Sequence, residues 1–191
     1  MLCGTTPLPT LVHPRSAGWH LVNAQTHQLQ RASQTLQGAG LFTGMVCAVT
    51  FHPAPRGAGI VFRDAGSGRT VRALAEHVAT EPVIPDVPRG FPVRNTTLSL
   101  DEGGVIATVE HAMSALRGLG VFDCTVEVNG PEVPIFDGSA LALVEALLPA
   151  LGPGEAGPDP IELREPVTIR EGGASITATP TDSGVSYTYT L

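Results

Sequence analysis

In the stretch TVEHAMSALRGLG (108–120) a glutamate stands directly before a histidine, at the start of a run whose apolar positions recur every three or four residues. Zinc hydrolases need nitrogen or carboxylate ligands, a coordination position left for water, and a carboxylate near enough to take the water's proton. Glu110 and His111 offer one base and one ligand of that set. The same pair can equally be a carboxylate placed where the helix dipole favours negative charge, followed by a surface imidazole. The dipeptide alone leaves both open.

Other residue types that bind metals are scattered. His52 ends a strand-like run before Pro53, His77 sits among alanine and valine, and His13, His20 and His27 fall in an aperiodic leader. Each reads as solvated or packed rather than ligating. Cys47 and Cys124 lie in strand-like runs, where a free cysteine behaves as a small apolar side chain. Asp137, in FDGSA, reads as a turn residue before Gly138, with Ser139 capping the helix that follows.

The pair must be positioned by elements that are themselves legible. Thr108 is expected to cap a helix carrying Val109, Ala112, Met113 and Leu116, with Gly118 and Gly120 as its stop. SALALVEALLPALG (139–152) predicts a second helix whose Leu141, Val144, Leu147, Leu148 and Leu151 exceed a single stripe, ended or bent by Pro149. VCAVTF (46–51), GIVF (59–62), TTLSL (96–100) and the alternating DCTVEV (123–128) read as strands, as do PVTIR (166–170), ASITATP (174–180) and VSYTYTL (185–191). Strands flanking a pair of helices predict an α+β fold: a two-layer sandwich, a mainly antiparallel sheet with two helices packed on one face.

Bulk composition narrows the function. A chain of 191 residues with 42% hydrophobic and 15% charged content supports a packed core. The net charge of −7, from 18 acidic and 11 basic residues, argues against a nucleic-acid surface. Three widely separated cysteines give no disulfide framework, and no apolar run reaches transmembrane length, so a cytoplasmic protein is expected. Residues 1–30 are read as a flexible N-terminal extension. The last alternating run, 185–191, has no polar tail, which leads us to expect a continuation or a truncated product.

NTTLSL (95–100), TVEHAMSALRGLG (108–120) and NGPEVPIFDGSA (129–140), in this order and spacing, resemble the zinc-dependent UDP-3-O-acyl-N-acetylglucosamine deacetylases of lipid A biosynthesis. QTLQGAGLFTG (34–44) and HPAPRGAGIVF (52–62) resemble the opening of that family. The resemblance covers residues 31–191 as its first, N-terminal domain. It implies that His111 is a zinc ligand, that Glu110 is the general base, and that Thr97, Leu98 and Ser99 edge the substrate-binding site. It also implies two α+β domains meeting at the active site, the remaining zinc ligands coming from a His-x-x-x-Asp motif in the second. No stretch of these 191 residues carries that motif, so Zn²⁺ is expected only if ligands outside this chain complete the site.

The family's Gly-Leu-His-Ser/Thr-Gly turn has Phe42 in place of its histidine here, which removes any polar side-chain contribution at that position. The substrate implied is UDP-3-O-acyl-N-acetylglucosamine, and the partner a second-domain polypeptide or a second copy of the chain. The alternative is a non-catalytic interaction domain or truncated remnant that docks through a helical face bearing Leu141, Leu147 and Leu151.

Overall fold

The computed structural model describes residues 26–80, 84, 85, 87, 88, 94–101, 103–155, 157, 158, 163–181 and 188. Its strands are β1 (His27–Leu29), β2 (Leu36–Ala39), β3 (Val46–Pro53), β4 (Ile60–Asp64), β5 (Thr70–Arg72), β6 (Leu98–Ser99), β7 (Val105–Ile106), β8 (Cys124–Asn129), β9 (Leu151–Pro153), β10 (Val167–Glu171) and β11 (Ala174–Ala178). Its helices are α1 (Glu110–Gly118) and α2 (Leu141–Leu147). One compact unit spans Gln25–Glu162. The described residues outside it centre on the antiparallel β10–β11 hairpin, which pairs Ile169 with Ile176.

In the larger unit, five strands form a sheet in the order β2-β3-β8-β4-β5, antiparallel except where β4 runs parallel to β8. Strand alternation sends every second side chain to one face. Phe51 of β3 lies opposite Val126 of β8, Val126 opposite Phe62 of β4, and Phe62 opposite Val71 of β5. That row is covered by the helices: Ala112, Ala115 and Leu116 of α1 and Leu143 and Leu147 of α2 belong to the same buried cluster. Each large side chain removed from water there contributes roughly 1.5–3 kcal/mol. The expected α+β sandwich is therefore the observed one.

The opposite face of the sheet is polar. Arg63 Nη2 donates to Glu127 Oε2 at 2.6 Å, His52 Nε2 lies 3.6 Å from Glu127 Oε1, and the Thr35 and Thr50 hydroxyls meet at 2.8 Å. Cys47 and Cys124 are free and buried, as expected of core residues. Burial pushes both thiols up, Cys124 to about 12.

Helix ends follow local rules in part. Gly120, with φ +66°, closes α1: its N–H donates to Arg117 O and Val121 N–H to Leu116 O, the paired bonds that satisfy terminal carbonyls. Pro149 sits in a tight 3-10 turn (Leu148–Ala150) immediately after α2. The inward face of α2 differs from expectation. Leu143 and Leu147, one turn apart, are fully buried, while Leu141 and Leu148 are 56% and 54% exposed. Leu147 is thus unavailable as a docking residue, and Leu151 leaves the helix to pair with Leu29.

Residues 26–30, read from sequence as part of an extension, pack on the sheet unit. β1 pairs with β9, His27 N donates to Gly120 O at 3.1 Å, and the His27 ring meets Leu119 O at 2.7 Å. Order therefore reaches back before residue 31; residues 1–25, and with them His13, His20 and Cys3, lie outside the described residues. Of VSYTYTL only Thr188 is described. Among the described residues no helix is long and apolar enough to cross a membrane.

Candidate active site at the start of the first helix

α1 begins at Glu110, whose Oε2 accepts the Thr96 backbone N–H at 3.0 Å, while Thr96 O accepts Val109 N–H at 3.1 Å. The two bonds pin the NTTLSL segment to the helix start and hold the carboxylate of a first-turn residue, at the end of the helix where negative charge is favoured. His111 follows on the helix, and both side chains are half-buried. A carboxylate and an imidazole that are neither immersed nor freely solvated can meet a ligand and still be held in place.

Thr108 does not cap the helix. Its φ is +59°, in the left-handed region, and its hydroxyl donates to Glu132 Oε2 at 3.2 Å. A capping residue needs an extended backbone to bring its oxygen over the first amides; the left-handed turn and the Glu132 bond preclude it.

Thr97 and Leu98 are buried, at 1% and 2% exposure, and Ser99 is exposed. Leu98 pairs with Ile106 and bridges to Val78, and Thr97 O accepts Ala79 N–H at 2.9 Å. Of these three, Ser99 alone offers its side chain to the surface. His52 and His77 are engaged elsewhere, His52 beside Glu127 and His77 with its ring 2.8 Å from Arg72 O.

Asp137 holds the turn it was expected to hold. Its Oδ1 accepts the Ser139 N–H at 2.9 Å and hydroxyl at 2.8 Å, bonds that keep its carboxyl below the usual range. Ser139 Oγ in turn accepts Leu141 N–H at 3.2 Å, so α2 starts two residues later than the serine.

Sequence reasoning gave Glu132 no role, although it stands within the PEVPIFDGSA motif. It is fully buried. Oε1 accepts Phe42 N–H at 3.1 Å, Thr43 N–H at 3.0 Å and the Thr43 hydroxyl at 2.7 Å. Its backbone neighbours tie the same place together: Ala107 N donates to Pro131 O at 2.9 Å and Val133 N to Ala107 O at 3.0 Å. Gly40 is required here for space, since a Cβ would lie 1.8 Å from Glu132 Oε1. Phe42 contributes its backbone amide to this network. The one sequence signal was an acidic residue set between prolines and valine, Pro131-Glu132-Val133-Pro134, in a stretch otherwise fit for burial.

A cavity of about 460 Å³ lies elsewhere, against Arg56, Arg117, Phe122 and Asp123. Arg117 is in the last turn of α1, and Glu110 in its first. Among the described residues no three metal-binding side chains converge. His111 presents a single imidazole, short of the three or four protein ligands that zinc sites use.

The family model described as LpxC, UDP-3-O-acyl N-acetylglycosamine deacetylase, matches residues 27–191. A UDP-3-O-acyl-N-acetylglucosamine deacetylase of Anaeromyxobacter dehalogenans is 37% identical over 157 residues, covering 80% of this chain and 46% of the relative. That of Myxococcus xanthus is 39% identical over 150 residues, 76% of this chain and 44% of its own. One from Neisseria meningitidis is 33% identical over 160 residues, 83% of this chain and 50% of its own. The chain spans about half the length of these curated relatives. These matches show that the chain belongs to the UDP-3-O-acyl N-acetylglycosamine deacetylase family.

Proposed function

We propose that this chain supplies the Glu110–His111 half of a site that removes the acetyl group from UDP-3-O-acyl-N-acetylglucosamine in lipid A biosynthesis, in the cytoplasm. The observation that carries this reading is the Glu110 carboxylate held at a helix start by Thr96 N–H, beside a half-buried imidazole, in a chain of this family. Glu110 takes a proton from the attacking water and delivers it to the amine nitrogen as the C–N bond breaks, releasing acetate and a free amino sugar. Accepting one backbone hydrogen bond leaves the carboxylate with further lone pairs for that proton. Thr97 and Leu98, anchored in the core, hold the segment that edges the substrate, and Ser99 faces it.

His111 is the ligand this chain would give to zinc, the others coming from outside it; bound there, the ion would polarise the water and the acetamide carbonyl. The test is zinc content and deacetylation of the UDP-sugar by the chain, alone and with a polypeptide bearing a His-x-x-x-Asp motif. Glu110→Ala is expected to retain zinc and lose about 10²–10⁴-fold in turnover. His111→Ala is expected to lose zinc as well. Turnover unchanged in either variant would refute the assignment.

A second reading, a docking domain, is favoured by the exposure of Leu141 and Leu148. Sizing the purified chain with and without the second polypeptide tests it, and a monomer that binds nothing counts against it.

A further inference from the structure

Glu132 takes no part in the proposed proton transfer, yet donors converge on its carboxylate from two sides. On one side Met45 N donates to Thr43 Oγ1 at 3.2 Å, and Thr43 Oγ1 donates to Glu132 Oε1 at 2.7 Å, beside the amides of Phe42 and Thr43. On the other, Asn95 Nδ2 donates to Thr108 Oγ1 at 3.2 Å and Thr108 Oγ1 to Glu132 Oε2 at 3.2 Å. Oε1 takes the shorter bonds from the 42–45 turn. Oε2, which Phe42 N–H also reaches at 3.4 Å, accepts from the residue that leads into Val109 and Glu110.

Burying a carboxylate is unfavourable unless donors surround it, so such a group is weak evidence for stability and better suited to fixing one arrangement. What it fixes is visible at Thr108. A β-branched residue enters the left-handed region only when its surroundings enforce it, and Thr108, at φ +59° and fully buried, is enforced by Glu132 on one side and Asn95 on the other. The backbone leaving Thr108 places Val109 N against Thr96 O and, one residue on, Glu110 Oε2 against Thr96 N.

We propose that Glu132 is a positioning residue: acting through the Thr108 hydroxyl, it holds the left-handed backbone that aims Glu110 and His111 from the start of α1. The functional weight of this rests on the reading of Glu110 and His111 as the reaction centre, while the geometric link stands apart from activity.

Glutamine at this position separates the two arms. Its amide oxygen belongs with the three donors on the Oε1 side, so its NH₂ meets a Thr108 hydroxyl that already accepts from Asn95 and now has no acceptor for its proton. The experiment is amide hydrogen exchange by NMR on the full chain, reading Thr96, whose N–H reports the Glu110 carboxylate, against Val126 in the central strand. Thr96 is expected to exchange about tenfold faster in Glu132→Gln and in Thr108→Ala, the loss of about one hydrogen bond to a charged group, with Val126 unchanged. Adding Thr108→Gly to Glu132→Gln is expected to restore protection, because glycine takes the left-handed conformation without support.

Thr108→Ala leaves the Oε1 side intact, so it decides the matter should Glu132→Gln fail to fold. The proposal is overturned if Thr96 in Thr108→Ala exchanges as in the wild type, if it changes only in step with Val126, or if Thr108→Gly restores nothing. Failure of the deacetylase reading looks different: Thr96 responds as expected, but Glu110→Ala changes no turnover.

Discussion

Glu127 and Glu132 lie on either side of the turn that ends β8, each surrounded by hydrogen-bond donors, and their circumstances are opposite. Glu127 sits on the open face of the sheet, its side chain 32% exposed, between Arg63 at 2.6 Å and His52 at 3.6 Å. Glu132 is fully buried, and its carboxylate accepts from two amides and two hydroxyls of distant loops. The Arg63–Glu127 pairing is between full charges at a partly exposed site, where screening and side-chain entropy leave little net gain. The Glu132 pairing involves partial charges where water is excluded, and each donor left without an acceptor carries its whole desolvation penalty. Burial of the partners, more than formal charge, sets what a carboxylate is worth.

The comparison breaks most decisively at Glu132. Glu132→Ala strands the Phe42 and Thr43 amides and two hydroxyls, and should lower unfolding free energy by about 3 kcal/mol or more in urea titration. A loss under about 1 kcal/mol would place the carboxylate nearer Glu127 in kind. Gly40→Ala should approach the same loss without touching the acid, because the new Cβ occupies the space of Oε1. The urea midpoint reads it, and a wild-type midpoint would mean that the carboxylate can move aside.

At the other extreme, Glu127→Ala should cost no more than about 1 kcal/mol, and the difference from wild type should shrink when salt is raised to about 1 M. A salt-independent loss as large as that of Glu132→Ala would remove the contrast.

Acid sharpens it further through two surface carboxylates. Asp64 is held below its usual range first by the Ser67 hydroxyl and then by backbone amides, and Asp137 first by the Ser139 N–H and then by its hydroxyl. Their folded values lie below their unfolded ones, so their contribution is complete above about pH 4 and is lost as the pH falls through the folded values. Urea midpoints measured between pH 5 and pH 2 should therefore fall less steeply in Asp64→Asn than in the wild type. Equal slopes would show that the Ser67 bonds do not survive in solution.

Local pattern made much of this molecule legible. Short β-type runs marked β3 and β4, alternation marked β8, and a three-four period with a glycine stop marked α1, because those signals lie within one element. The short strands β1, β2, β5 and β9 escaped notice: three or four residues carry no period, and they exist through the strands they pair with. The inward side of α2 was misjudged for a related reason, since seven residues rich in leucine offer two stripes and only the sheet beneath chooses Leu143 and Leu147.

Family membership and the Glu110–His111 pair were written in residue identities and spacing, which sequence alone fixes. That Thr108 would turn left-handed instead of capping, and that Glu132 would be buried beneath Phe42, Thr43 and Thr108, was decided in three dimensions. A buried carboxylate is tolerated only where donors converge on it, and these donors come from segments far from it in the chain. No local stretch of sequence contains that condition.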